Sequence, residues 1–188
     1  MAEEHGQVVD EEELDAEREA RRLVALAQIR QYPDPVLRMV ANEVTEFDDD
    51  LRGLASRMAS LMADARGVGL AGNQVGVLRR MFVFAYSEEE EPRVAVNPRV
   101  VPVGDGLETA DEGCLSLQGV LVPVERPASV TLEAQDVDGD PYRLELTGLD
   151  ARVVQHELDH LDGTLIVDRT TREARREAMA ILRPQPTY

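Results

Sequence analysis

The sequence predicts one α+β domain. Antiparallel β-sheets pack around a central helix that carries an HExxH pattern, and a further helix lies near the C-terminus. Three observations predict this. Residues 51–65 place apolar side chains at helical spacing. Residues 120–147 read as short strands broken by strong turn residues. Residues 149–161 read as a helix bearing two of the three histidines. A length of 188 residues is one domain's worth, enough to bury roughly 70% of the unfolded surface. Cys114 is the single cysteine, so no internal disulfide forms, and a lone thiol suits a reducing compartment.

Taken in order, residues 1–20 hold nine carboxylates against Arg18 alone. Like charges repel there and little is apolar, so 1–20 is expected as a solvated acidic extension and 21–188 as the folded domain. From about Asp10 to Leu26 the composition favours helix. Tyr32-Pro33-Asp34-Pro35 stops any helix before it. Asp48-Asp49-Asp50 suits a helix N-terminus, where free N–H groups and the dipole favour negative charge. Leu51, Leu54, Met58, Leu61, Met62 and Ala65 then share one face, which is core.

Gly67 to Gly76 is too rich in glycine for a helix interior. Strands are expected at Arg80–Tyr86 and Val94–Val101, with an exposed turn at Glu88–Glu91 between them. Pro98 marks the second as an edge strand. Val120–Val124 and Ser129–Ala134 follow as strands. The turn Asp136-Val137-Asp138-Gly139-Asp140-Pro141 returns the chain through Tyr142–Thr147 as a hairpin. A helix from about Leu149 to Leu161 ends near Gly163, and a last helix spans Thr171 to Leu182 until Pro184.

The net charge of −17 makes generic nucleic-acid binding, DNA included, a poor expectation, because phosphate contacts need cationic surface. All 20 basic residues are arginine, which excludes Schiff-base and P-loop lysines. No stretch approaches the roughly 20 apolar residues of a membrane span, and the acidic N-terminus has no secretory signal. The expectation is a cytoplasmic protein without a membrane partner.

The chemistry concentrates in three stretches. In Gln155-His156-Glu157-Leu158-Asp159-His160, residues four apart lie on one helical face, so both imidazoles reach one cation. Glu157 stands where its carboxylate can take a proton from water. Two exposed histidines with carboxylate neighbours are the plainer alternative. A third ligand can come from an Asp or Glu, or from Cys114 within Glu112-Gly113-Cys114-Leu115-Ser116. A small buried thiol is the plainer reading of Cys114. In Gly67–Gln74, the glycines permit close backbone approach, and Gln74 offers an uncharged donor suited to a developing oxyanion.

Together GVGLAGNQ, EGCLS and QHELDH, in this order, resemble the peptide deformylase family from about Ala25 to Leu182. One departure is Gly72, where the family usually has its second alanine. Losing that methyl is expected to loosen the loop holding Gln74. The segment around Gln118 also departs from the pattern.

The resemblance implies one divalent metal on Cys114, His156 and His160, with Fe(II) natural to the family and Zn, Ni or Co able to replace it. It implies hydrolysis of the N-formyl group from the first methionine of nascent peptides, releasing formate. Glu157 acts as base and then acid, and Gln74 and the Leu115 N–H stabilise the oxyanion. Val68, Gly69 and Gly113 pair with the substrate backbone, while Val68, Leu149 and Val153 line the methionine pocket. Arg152 is an unexpected charge beside that pocket. Five arginines against two glutamates between Arg169 and Arg183 suggest ribosome docking through the last helix, against the plainer reading of a solvated face. Three rivals stay open. One is an HExxH peptidase cutting within chains. Another is a non-enzymatic paralogue with a structural metal, or one acting through its acidic extension as an interaction module. The third is a paralogue tuned to a formylated small molecule or to inhibitor resistance, which Gly72 and the Gln118 region keep open.

Overall fold

The computed structural model describes residues 11–85 and 91–183. A five-stranded antiparallel sheet runs in the order β1-β2-β3-β6-β7, from β1 (Gly69–Ala71), β2 (Met81–Phe84), β3 (Arg93–Pro102), β6 (Ser129–Gln135) and β7 (Pro141–Thr147). A separate antiparallel pair joins β4 (Leu107–Gly113) to β5 (Leu121–Pro127). The helices are α1 (Glu11–Leu26), α2 (Asp49–Asp64), α3 (Gly148–Leu161), the single turn α4 (Ile166–Arg169) and α5 (Arg172–Ile181).

Strand β2 shows why both sheet faces are covered. All four of its residues are buried, and successive side chains point to opposite faces. Met81 and Val83 join the core under α2, with Leu51, Met58 and Met62. Phe82 and Phe84 join the core under α3, with Val154 and Leu161. A third core lies under α4 and α5, where Val122, Val124, Ile166 and Ala178 meet Leu37.

Helix α2 begins as expected: Asp48 Oδ1 accepts from the Leu51 N–H at 2.9 Å, and Asp49 and Asp50 follow in the first turn. The expected apolar stripe is its core face, with Leu54 half-buried. The hairpin β6–β7 also forms as expected, in register from Ser129↔Thr147 to Gln135↔Pro141.

The structure corrects the expected place of residues 94–101. Strand β3 is central, between β2 and β6, rather than at an edge. Pro98 is tolerated because the register with β6 shifts between Val96 and Arg99, so the proline stands in a bulge outside the ladder. Asn97 takes φ +49° there, and its side chain bonds both the N–H and the carbonyl of Val44 (2.8 and 2.9 Å). Strand β4 had no counterpart in the sequence reading. Helix α1 runs across the expected boundary at residue 20, and its Ala25 is buried in the core with α2. Most of the turn expected at Glu88–Glu91, and the Pro184 stop, lie outside the described residues.

Candidate metal centre

Helix α3 is buried on several sides, between the five-stranded sheet and the β4–β5 pair. That position leaves Arg152, Glu157, Asp159 and His160 buried in spite of their polarity. Such groups persist only with partners, because stripping them of water is costly. Gly163, at φ +71°, ends the helix against the Arg38 carbonyl, where a Cβ would come within 2.6 Å.

His156 and His160 lie one turn apart, with their Nε2 atoms at 3.2 Å. Cys114, just after β4, puts its Sγ 3.2 Å from His160 Nε2. The three donor atoms all lie within 4.8 Å of one another. Metal–nitrogen bonds of about 2.1 Å at tetrahedral angles place donors roughly 3.4 Å apart. The set therefore fits one small divalent cation, and one thiol with two imidazoles suits Fe, Co, Ni or Zn.

Burial opposes a charge on His156, but its bonds to Cys114 and Glu112 outweigh this and raise it well above the ordinary histidine value. Burial, and the neighbouring His156, push His160 well below that value.

Glu112 is the orienting group. Its Oε2 lies 3.0 Å from Nδ1 of His156, which turns Nε2 toward the other donors. Arg126 grips the same carboxylate with two bonds, Nε to Oε1 at 2.6 Å and Nη2 to Oε2 at 2.9 Å. Burial opposes ionisation of Glu112, but the bonds from Arg126 and His156 hold its carboxyl well below the usual range. Arg126 also donates to Asp159 at 2.9 Å, and Arg169 donates to Asp159 at 2.6 Å.

Beside the triad, Glu157 is buried and its Oε2 has no partner. Burial pushes its carboxyl up to about 7, His156 pulls it down and Glu112 pushes it up. A proton acceptor poised near neutrality is what general base work needs. Gln74 is fixed at both ends of its amide. Its Oε1 accepts from the Ala71 N–H at 2.8 Å, while Nε2 donates to Ser116 Oγ at 3.1 Å and lies 3.7 Å from Cys114 Sγ.

A cleft of about 400 Å³ opens over these groups, and every residue expected from sequence to hold metal, bind substrate or take part in the reaction lines it except His160, which is buried. The family model for polypeptide deformylase matches residues 26–176. The chain belongs to the peptide deformylase family. It is 44% identical over 162 residues to peptide deformylase 1 of Corynebacterium efficiens, an alignment spanning 85% of this chain and 96% of that protein. It is 46% identical over 143 residues to the Brucella suis peptide deformylase, spanning 74% and 82%. A crystal structure of a peptide deformylase from Legionella pneumophila matches with a TM-score of 0.78 at 40% identity, covering 82% of this chain and 91% of that one.

Within this deformylase, Val153 is buried, Val68 is partly exposed and Leu149 is exposed at the mouth. The Val68 carbonyl accepts from the Ala85 N–H at 3.0 Å. Gly72 does not loosen the loop as expected. A methyl there would lie 2.7 Å from the Arg79 carbonyl and 2.8 Å from that of Val77, so the glycine lets the chain close tightly behind Gln74. Sequence reasoning gave no role to Ser116, Arg126 or Asp159. Ser116 and Asp159 stand inside the motifs, whereas nothing local marks Arg126.

Proposed function

We propose that this protein hydrolyses the N-formyl group from the first methionine of newly made chains, releasing formate. The observation that carries this reading is a buried, unpartnered Glu157 carboxylate beside a Cys114–His156–His160 triangle of donor atoms. Cys114, His156 and His160 would hold the metal, Fe(II) in the cell, with Zn, Ni or Co as substitutes. Such an ion supplies Lewis acidity, making water a nucleophile near neutral pH and polarising the carbonyl it faces.

The chain does the rest. Glu157 takes a proton from water at Oε2 and gives it to the leaving amine, acting as base and then acid. Gln74 Nε2 and the Leu115 N–H donate to the negative oxygen that develops on the formyl carbon. Loss of one such donor typically costs roughly 10²–10³ in rate. Val68, Gly69 and Gly113 pair with the peptide backbone. Val68, Leu149 and Val153 receive the methionine side chain. In this scheme residues 21–188 are the catalytic unit and 1–20 an acidic extension to it.

No helix among the described residues is long and apolar enough to cross a membrane. We place the activity in the cytoplasm, where nascent chains emerge. Docking of the arginine-rich α5 at the ribosome is a further part of this proposal. Co-sedimentation unchanged by truncation after Asp168 would remove it.

The decisive experiment measures formate release from formyl-Met-Ala-Ser by anaerobically iron-loaded protein beside Glu157→Ala. Rapid release that disappears in the variant is expected. A folded, metal-loaded wild type that releases no formate would overturn the assignment, and cleavage of unformylated peptides would favour an ordinary peptidase.

A further inference from the structure

Arg152 is a buried charge that the reaction above does not use. It stands one turn before His156 on α3, with its side chain only 9% exposed. Its guanidinium makes three bonds of equal length. Nη1 donates to Glu112 Oε1 and to the Val124 carbonyl, and Nη2 donates to the Glu108 carbonyl, each at 2.8 Å. Glu108 lies in β4 and Val124 in β5, so one planar fork pins α3 to both strands of the smaller sheet.

That sheet matters to the site twice. Its strand β4 carries Glu112, which aims His156, and it leads directly into Cys114. Arg126, from β5, grips Glu112 and also reaches Asp159 near the end of α3. Arg152 stands on α3 itself, one turn before His156, and meets Glu112 and both strands of the smaller sheet. It therefore adds a second tie, ahead of His156, between the sheet-borne sulfur and carboxylate and the helix-borne imidazoles. Arg152 is also part of the wall of the cleft, beside Val153 and Leu149. Three of its five N–H groups are engaged by Glu112, Val124 and Glu108.

We infer that Arg152 is a positioning residue that locks strand β4 and Glu112 against α3, holding Cys114 in register with His156 and His160 while closing the back of the side-chain pocket. The inference rests on the metal-site reading above. It explains why a charge is kept beside an apolar pocket: three acceptors on two strands match the forked donors of a guanidinium, which a lysine's single nitrogen does not offer.

The test uses full-length, zinc-loaded wild type, Arg152→Met, Arg152→Lys and Arg152→Ala. Zinc release to the chelator 4-(2-pyridylazo)resorcinol is followed without substrate. Formate release from formyl-Met-Ala-Ser gives kcat and KM separately, and circular dichroism melts report folding. Zinc should leave Arg152→Met roughly 10–100-fold faster than wild type, the usual cost of losing a group that orients a ligand. KM should rise several-fold. Arg152→Lys should behave like Arg152→Met, and it carries the test if the methionine variant does not fold. Ethylguanidinium added to Arg152→Ala should slow zinc release again, whereas a merely weakened fold would be weakened further by it. Wild-type zinc release and KM in a folded Arg152→Met, or zinc release from folded Arg152→Ala untouched by ethylguanidinium, would overturn the inference. Since zinc release is read without turnover, a wild type that makes no formate would sink the deformylase reading and leave this test intact.

Discussion

The carboxyl group of Glu157 occupies the space that a side chain on Gly69 would need. A methyl built on Gly69 would lie 2.7 Å from the Glu157 carboxyl carbon and closer still to one of its oxygens. The first motif and the third are thus matched surfaces, and a side chain at 69 would have to displace the Glu157 carboxyl.

Gly69→Ala should therefore fold but displace Glu157. A misplacement of about 1 Å at a reacting group can cost roughly 10² in rate. Formate release should fall by about that factor, while zinc content measured by mass spectrometry stays at the wild-type level. Full activity in this variant would mean that the carboxylate works from another position.

Glu157 also carries a pH signature in metal-free protein. Its folded pKa of about 7 stands above the ordinary carboxyl value of 4.5, so folding favours the protonated form. The stability this gives is complete below 4.5, falls as pH rises toward 7, and is gone above 7. The neutral isostere in Glu157→Gln escapes that loss. At pH 8 the metal-free variant should be more stable than the metal-free wild type by up to about 3 kcal/mol. The gap should close by pH 4.5. Urea titrations at the two pH values check both size and sign.

Arg126→Met removes the cation that serves both Glu112 and Asp159, whose side chains are 5% and 11% exposed. Glu112 keeps Arg152 and Asp159 keeps Arg169, so urea unfolding should show a clear loss that stays below the roughly 3–5 kcal/mol of a buried charge left with no partner. Arg143→Met, at a largely exposed ion pair, should change stability by less than about 1 kcal/mol in the same assay.

Gly72→Ala tests the tight closure behind Gln74. Although the family resemblance places alanine here, the methyl would press on two backbone carbonyls that cannot swing aside. Thermal melts should show a loss of about 1–3 kcal/mol. An unchanged melting temperature would mean that the segment from Val77 to Arg79 gives way.

The parts of this molecule written in neighbouring residues were legible in its sequence. Helix α2 declares itself by a cap and an apolar stripe, and His156 and His160 declare a shared face by their spacing. What was not legible depends on distant partners. Strand β4 reads as exposed and acidic, with Glu112 its single buried position, because it pairs on one side with β5 and faces a cleft on the other. Strand β3 looked like an edge because a bulge hides from pattern reading. Arg126 and Arg152 gain their roles from Glu112, Asp159, Val124 and Glu108, none of them within the same turn or strand position.

The two sheets are separate in the protein, yet β1 ends one of them and β4 has a partner on one side only, and Gly69 and Gly113 from these two strands line the same cleft. An extended chain lying there would complete a ladder running through both sheets, so the newly made protein itself would serve as the missing strand. Main-chain bonds of that kind ignore side-chain identity. One enzyme could then read the start of thousands of different proteins, with discrimination left to the first residue and its blocked amine.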